Sequence, residues 1–112
     1  MADRSTQAPL FVDALALAQW LLAHFETPGS PLESQLLTLA TELLQVLTLA
    51  LKNRCRDDRM EEADELLIRL RVLLRLAVES SRLTSDQYGH VLERVDVIGA
   101  QLGAWKKSLG PV

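Results

Sequence analysis

Residues that stop a helix occur at only a few points along this chain, and between them the sequence runs apolar with a helical period. The four prolines are Pro9, Pro28, Pro31 and Pro111, so the long stretch between the last two lacks the strongest helix breaker. Pro9 suits a first helical turn, and a first helix is expected over about residues 9–26. Thr27-Pro28-Gly29-Ser30-Pro31 then breaks it. Ser30-Pro31-Leu32-Glu33 reads as a capping box with proline at the first helical position, which opens helix two at 31–54. In such a box the Ser30 hydroxyl accepts from the Glu33 amide, and the Glu33 carboxylate returns the bond.

The second boundary has neither glycine nor proline. Lys52, Arg54 and Arg56 suit a helix C-terminus, whereas Asp57, Asp58, Glu61 and Glu62 suit the next N-terminus. A tight turn followed by helix three over 58–81 is therefore expected. Thr84-Ser85-Asp86-Gln87 is a second capping box, with Leu83 and Tyr88 placed as its hydrophobic staple. It opens helix four at 85–108, which Gly110-Pro111 ends. Leucine at 24 of 112 positions, with few β-branched or aromatic residues, agrees with helices throughout. The expected fold is all-α: one antiparallel up-down-up-down four-helix bundle spanning residues 1–112, with 1–8 and 110–112 as flexible ends.

Helix four has the clearest seam. Tyr88, Val91, Val95, Ile98, Leu102, Trp105 and Leu109 recur three and four residues apart. Gly99 and Gly103 lie beside it and suggest a close backbone approach. The other helices carry more apolar surface than one stripe requires. Helix one has only Asp13 and Gln19 as polar interruptions between Pro9 and Ala23, and helix two keeps a narrow polar strip. Helix three presents Leu66, Leu67, Leu70, Leu73, Leu74 and Ala77 on one side, with Ile68, Val72 and Leu76 off it. Each large side chain left in water forgoes about 1.5–3 kcal/mol of burial. A homo-oligomer is expected, with the first three helices supplying most of the contact.

Catalytic patterns are missing. His24 and His90 stand on different helices, with no Glu-x-x-His or His-Glu-x-x-His around them. No P-loop, dinucleotide fingerprint or nucleophile elbow occurs. Arg82 and His90, with seven residues between them, do not meet the arginine–histidine spacing of small helical ribonucleases. A lone Cys55 excludes an internal disulfide. The expectation is a chain that is not an enzyme, needs no cofactor or metal, and takes no small-molecule substrate. The start has no basic leader, and the apolar run 10–25 falls short of a bilayer span, so a cytoplasmic protein without membrane contact is expected.

Net charge is −3, so any nucleic-acid role must rest on a local patch. On a helical wheel Arg71, Arg75 and Arg82 fall within roughly 60° of one another, at about 100° per residue. Lys106 and Lys107 end helix four, and Lys52, Arg54, Arg56 and Arg59 surround the turn after helix two. Such clusters can take phosphates or an acidic protein surface. The plainer alternative is that Arg71 and Arg75 pair with Asp64, Glu79 or neighbouring helices, while the lysines satisfy a helix end.

The stretch from Leu66 to Ala77, then Arg82-Leu83-Thr84-Ser85-Asp86-Gln87-Tyr88, then Ile98 to Leu109 with Trp105-Lys106-Lys107, resembles the C-terminal half of a known family. It is that of the accessory variability determinant (Avd) proteins of diversity-generating retroelements. The same four-helix superfamily includes proteins encoded in intervening sequences of bacterial 23S ribosomal RNA genes. The likeness is strong over about residues 64–109, looser around Trp20-Leu21-Leu22 and Phe25, and limited to apolar character in helix two. It implies a barrel-shaped homopentamer that binds a reverse transcriptase and its template RNA in support of mutagenic copying. It also implies a binding role for Arg71, Arg75, Arg82, Lys106 and Lys107. The rival expectation is an adaptor of the intervening-sequence type, which binds another protein and no nucleic acid.

Overall fold

The computed structural model describes residues 8–25 and 29–108. Four helices form: α1 (Pro9–His24), α2 (Pro31–Leu51), α3 (Arg56–Glu79) and α4 (Ser85–Ser108), and no strand occurs among the described residues. The expected reach of α1 to Glu26, the 27–28 break, the end at 110–112, residues 1–7 and seam position Leu109 lie outside them. Ala8, expected in a flexible end, is instead the extended N-cap of α1, with Pro9 in the first turn.

The helix ends follow from local chemistry. The Ser30 hydroxyl accepts from the Glu33 amide at 3.5 Å, as the capping box requires. The return bond differs from expectation, because the Glu33 carboxylate accepts from Gly29 N–H at 2.6 Å, one residue before the cap. The second box is reciprocal: Thr84 N–H donates to the Gln87 side chain at 2.9 Å, and Gln87 N–H donates to the Thr84 hydroxyl at 3.1 Å.

Helices α2 and α3 stop earlier than their sequence suggests, at Leu51 and Glu79 rather than Arg54 and Ser81. Both end in the same motif. Asn53 and Ser81 take positive φ, 58° and 60°. Beyond α2, Asn53 N–H reaches the Ala50 carbonyl and Arg54 N–H reaches that of Leu49. Beyond α3, Ser81 reaches Val78 and Arg82 reaches Ala77. These are Schellman closures with asparagine and serine standing where glycine is usual, so no glycine marked them. Cys55, at φ 50°, precedes α3, and Arg56 lies inside that helix rather than before it.

Helix α1 packs on α2 and α4, and α3 packs on the same two, whereas neither diagonal pair makes close contact among the described residues. The long axis, 45 Å, is little more than the ~36 Å length of a 24-residue helix, so the helices lie side by side. At the centre Leu17, Leu21, Leu36, Leu43, Leu47, Leu67, Leu70 and Leu74 meet the α4 seam of Val91, Val95, Ile98 and Leu102, all fully buried. Tyr88 and Trp105, also expected on that seam, are half-buried against the same core. Helix α2, by length and composition alone, could cross a membrane; here Leu36, Leu43 and Leu47 on it are core residues.

Neither Gly99 nor Gly103 makes the expected close backbone approach. A Cβ on Gly99 would meet the Arg71 guanidinium at 2.9 Å, a side chain and not a neighbouring backbone, while Gly103 faces open space.

Candidate interaction surfaces

Three surfaces stand out: the basic residues, the exposed apolar stripes and a ring-lined cleft. Arg71 on α3 donates to Asp96 on α4 at 3.2 Å. Arg75 pairs with Glu79 one turn on at 2.9 Å. Arg82 reaches Glu33 at the start of α2 at 3.5 Å. Lys106 bonds Glu61 at 2.8 Å and also Asp64. Those two carboxylates hold the Lys106 ammonium above its ordinary pKa, Asp64 through its hydrogen bond most of all. Lys107 is exposed, with no ion pair among the described residues.

Arg71 and Arg75 thus lie close together, but the five residues do not form one patch. Lys106 sits over the first turns of α3, and Arg82 follows its last turn. At about 1.5 Å of rise per residue these ends are more than ~20 Å apart. Arg82 also leaves the helical wheel on which it aligned with Arg71 and Arg75, because α3 stops at Glu79 and Ser81 reverses the backbone. Asp64, expected opposite Arg71 or Arg75, pairs with Lys106 instead. At the α2–α3 turn, Arg59 pairs with Glu62 at 3.1 Å and Cys55 is an exposed free thiol.

Among the described residues six large apolar side chains are exposed. Ile68, Val72 and Leu76 form a line along α3, 59%, 62% and 49% exposed. Val12 and Leu22 stand on α1, and Val97 on α4. Because α1 and α3 are the diagonal pair, their apolar faces look out from opposite corners of the bundle.

The cleft lies between α1 and α4. His24 stacks on Trp20 with ring centres 4.9 Å apart and planes within 6°. His90 leans on the same indole at 5.6 Å. The Arg94 Nε–H donates to His90 Nε2 at 3.0 Å. Trp20, Ala23, His24, Asp86, Gln87 and His90 line an open cleft of about 540 Å³. A second hollow of about 250 Å³, which shares His90, adds Asp13, Glu93, Arg94 and Val97. In the sequence the two histidines stand on separate helices, Asp86 reads as part of a capping box, and Glu93 and Arg94 belong to no motif. The one-turn spacings Trp20–His24, Asp86–His90 and His90–Arg94 were the available signal. Among the described residues no three of His, Cys, Asp or Glu are placed to hold a metal ion.

A family model described as bAvd-like matches residues 28–109. No curated protein and no solved structure matches the chain. The matched segment takes in α2, α3 and α4 complete, with both capping boxes, the two Schellman ends and the buried α4 seam, and the chain accordingly belongs to the bAvd-like family.

Proposed function

We propose that this chain is a non-catalytic accessory scaffold of a diversity-generating retroelement. In this reading up-down-up-down bundles assemble into a ring, pentameric by family resemblance, that binds a reverse transcriptase and its template RNA in the cytoplasm. The family match over 28–109 carries the reading. Alternating helix directions are supported by contacts between opposite ends: Lys106 late in α4 meets Glu61 and Asp64 early in α3, and Arg82 after α3 meets Glu33 early in α2.

Ring assembly is supported by the two unlike apolar faces on opposite corners. A head-to-tail contact needs different patches on its two sides and closes into a ring when the rotation permits. Arg71, Arg75, Arg82, Lys106 and Lys107 are the proposed basic contacts with enzyme or RNA.

Co-expression with the reverse transcriptase of the proposed retroelement tests the reading. The expected result is joint purification at low salt in a complex heavier than either component, and separate elution of the two would refute it. The ion pairing of four of the five basic residues favours a second reading, a protein adaptor of the intervening-sequence type with no affinity for nucleic acid.

A further inference from the structure

We infer that the cleft between α1 and α4 is a docking site for an arginine side chain of a protein partner. Its wall is aromatic: Trp20 is only half-buried, with His24 stacked on it and His90 leaning against it. Its rim is acidic. Asp86 opens onto the larger hollow, and Asp13 and Glu93 onto the smaller one.

Asp86 and Glu93 have no ion pair among the described residues, whereas Asp13 is taken up by a hydrogen bond from Gln101. Among the described residues Arg94 is the one Lys or Arg lining either hollow, and its Nε–H is directed at His90. That bond takes the lone pair of Nε2. Along the two hollows three carboxylates, Asp13, Asp86 and Glu93, face the guanidinium of Arg94.

An aromatic wall of Trp20, His24 and His90 beside Asp86 and Glu93 suits a planar cation. Guanidinium stacks on such rings while its N–H groups bond the carboxylate, a combination that ammonium, as a compact and strongly hydrated charge, makes less well. A phosphate-bearing strand gains the same stacking but meets repulsion from Asp13, Asp86 and Glu93. Charge complementarity therefore assigns the cleft to a basic polypeptide. Nucleic-acid-handling proteins are commonly basic, so the site suits the partner under the proposed function. The inference rests on that reading only for the partner's identity.

The test uses the full chain with Trp105→Phe, which leaves Trp20 as the single tryptophan reporter. A blocked Arg-Gly-Arg peptide, a blocked Glu-Gly-Glu peptide and oligouridine are titrated while Trp20 fluorescence is followed. Only the arginine peptide is expected to give a saturable change. Its affinity should fall about five-fold in Asp86→Asn/Glu93→Gln, with a similar loss at raised salt. Both substitutions are isosteric and lie on the surface of α4, and circular dichroism confirms that the helices persist.

Equal affinity in the double variant overturns the inference, as does a stronger response to oligouridine than to the arginine peptide. The outcome is independent of co-purification with the reverse transcriptase. Peptide binding without that complex sinks the scaffold reading alone, and the complex without peptide binding sinks the cleft alone.

Discussion

Replacing the exposed α3 line with glutamines, Ile68→Gln, Val72→Gln and Leu76→Gln, should dissociate the proposed assembly while leaving the bundle folded. Full burial of a Val, Leu or Ile side chain is worth about 1.5–3 kcal/mol. These three are 59%, 62% and 49% exposed in the single chain. Roughly half of each side chain is thus left for a partner to cover, about 1 kcal/mol apiece and ~3 kcal/mol per contact. At about 1.4 kcal/mol per tenfold, the triple variant weakens each contact by ~100-fold or more. Glutamine is a good helix former, and the three positions already face water, so the core of Leu66, Leu67, Leu70 and Leu74 is untouched.

Sedimentation velocity across a concentration series reads the effect. The parent chain should sediment as an oligomer at micromolar concentration, and the variant as a monomer. A second variant, Val12→Gln/Leu22→Gln, removes the α1 face. If the contact is α3 against α1, the two variants mixed retain one competent junction and stop at heterodimers. An isologous α3–α3 contact gives none. A parent chain that is monomeric at micromolar concentration, or a triple variant of unchanged mass, refutes the reasoning.

Ser81→Gly should stabilise the fold by about 1 kcal/mol in chemical denaturation, because Ser81 holds φ 60° at a helix C-terminus where glycine is unstrained. Gly103→Ala, with open space around the added methyl, should add about 0.5–1 kcal/mol by helix propensity. Gly99→Ala should gain less, since its Cβ would displace the Arg71 guanidinium from Asp96. Lys106→Met should cost about 0.5 kcal/mol near neutrality, a small figure because Glu61 is largely exposed and solvent screens the pair. The Lys106 pKa is raised, so its contribution is complete below the ordinary lysine value of about 10.4 and is lost as pH climbs through the raised one. Parent and variant stability curves should converge at high pH, and a gap that widens there would refute the assignment.

The helices were legible because their information is local. Capping boxes at Ser30 and Thr84 fix starts, and the three-four spacing from Val91 to Leu102 fixes a buried face whatever lies opposite. The early ends of α2 and α3 were hidden because Asn53 and Ser81, unlike glycine, do not advertise a left-handed residue. What the basic side chains touch was less legible still. The Arg71–Asp96 and Lys106–Asp64 contacts depend on how α3 and α4 are aligned, which no property of either helix alone specifies. The cleft was obscured in the same way, since Trp20 and His90 meet only once α1 lies against α4.

The apolar line and the arginines of α3 compete for one face. At about 100° per residue, Glu79 falls within the arc of roughly 80° occupied by Ile68, Val72 and Leu76, Arg75 borders it about 20° beyond Ile68, and Arg71 lies about 60° beyond. If a second copy covers that line, the Arg75–Glu79 pair is covered with it and is no longer open to phosphate. Arg82 is also constrained. Withdrawing it from Glu33, whose side chain is only 11% exposed, leaves that carboxylate with Gly29 N–H as its remaining side-chain bond. Arg71 stays available, since its pair with Asp96 is exposed and exposed pairs are worth about 0–1 kcal/mol. Assembly and RNA binding through α3 therefore cannot both use the whole face. The salt slope of RNA binding by the assembled chain should change with Arg71→Gln and not with Arg75→Gln, whereas the monomeric triple-glutamine variant should respond to both. A slope equally sensitive to both residues in the assembled chain would place the contact between copies elsewhere.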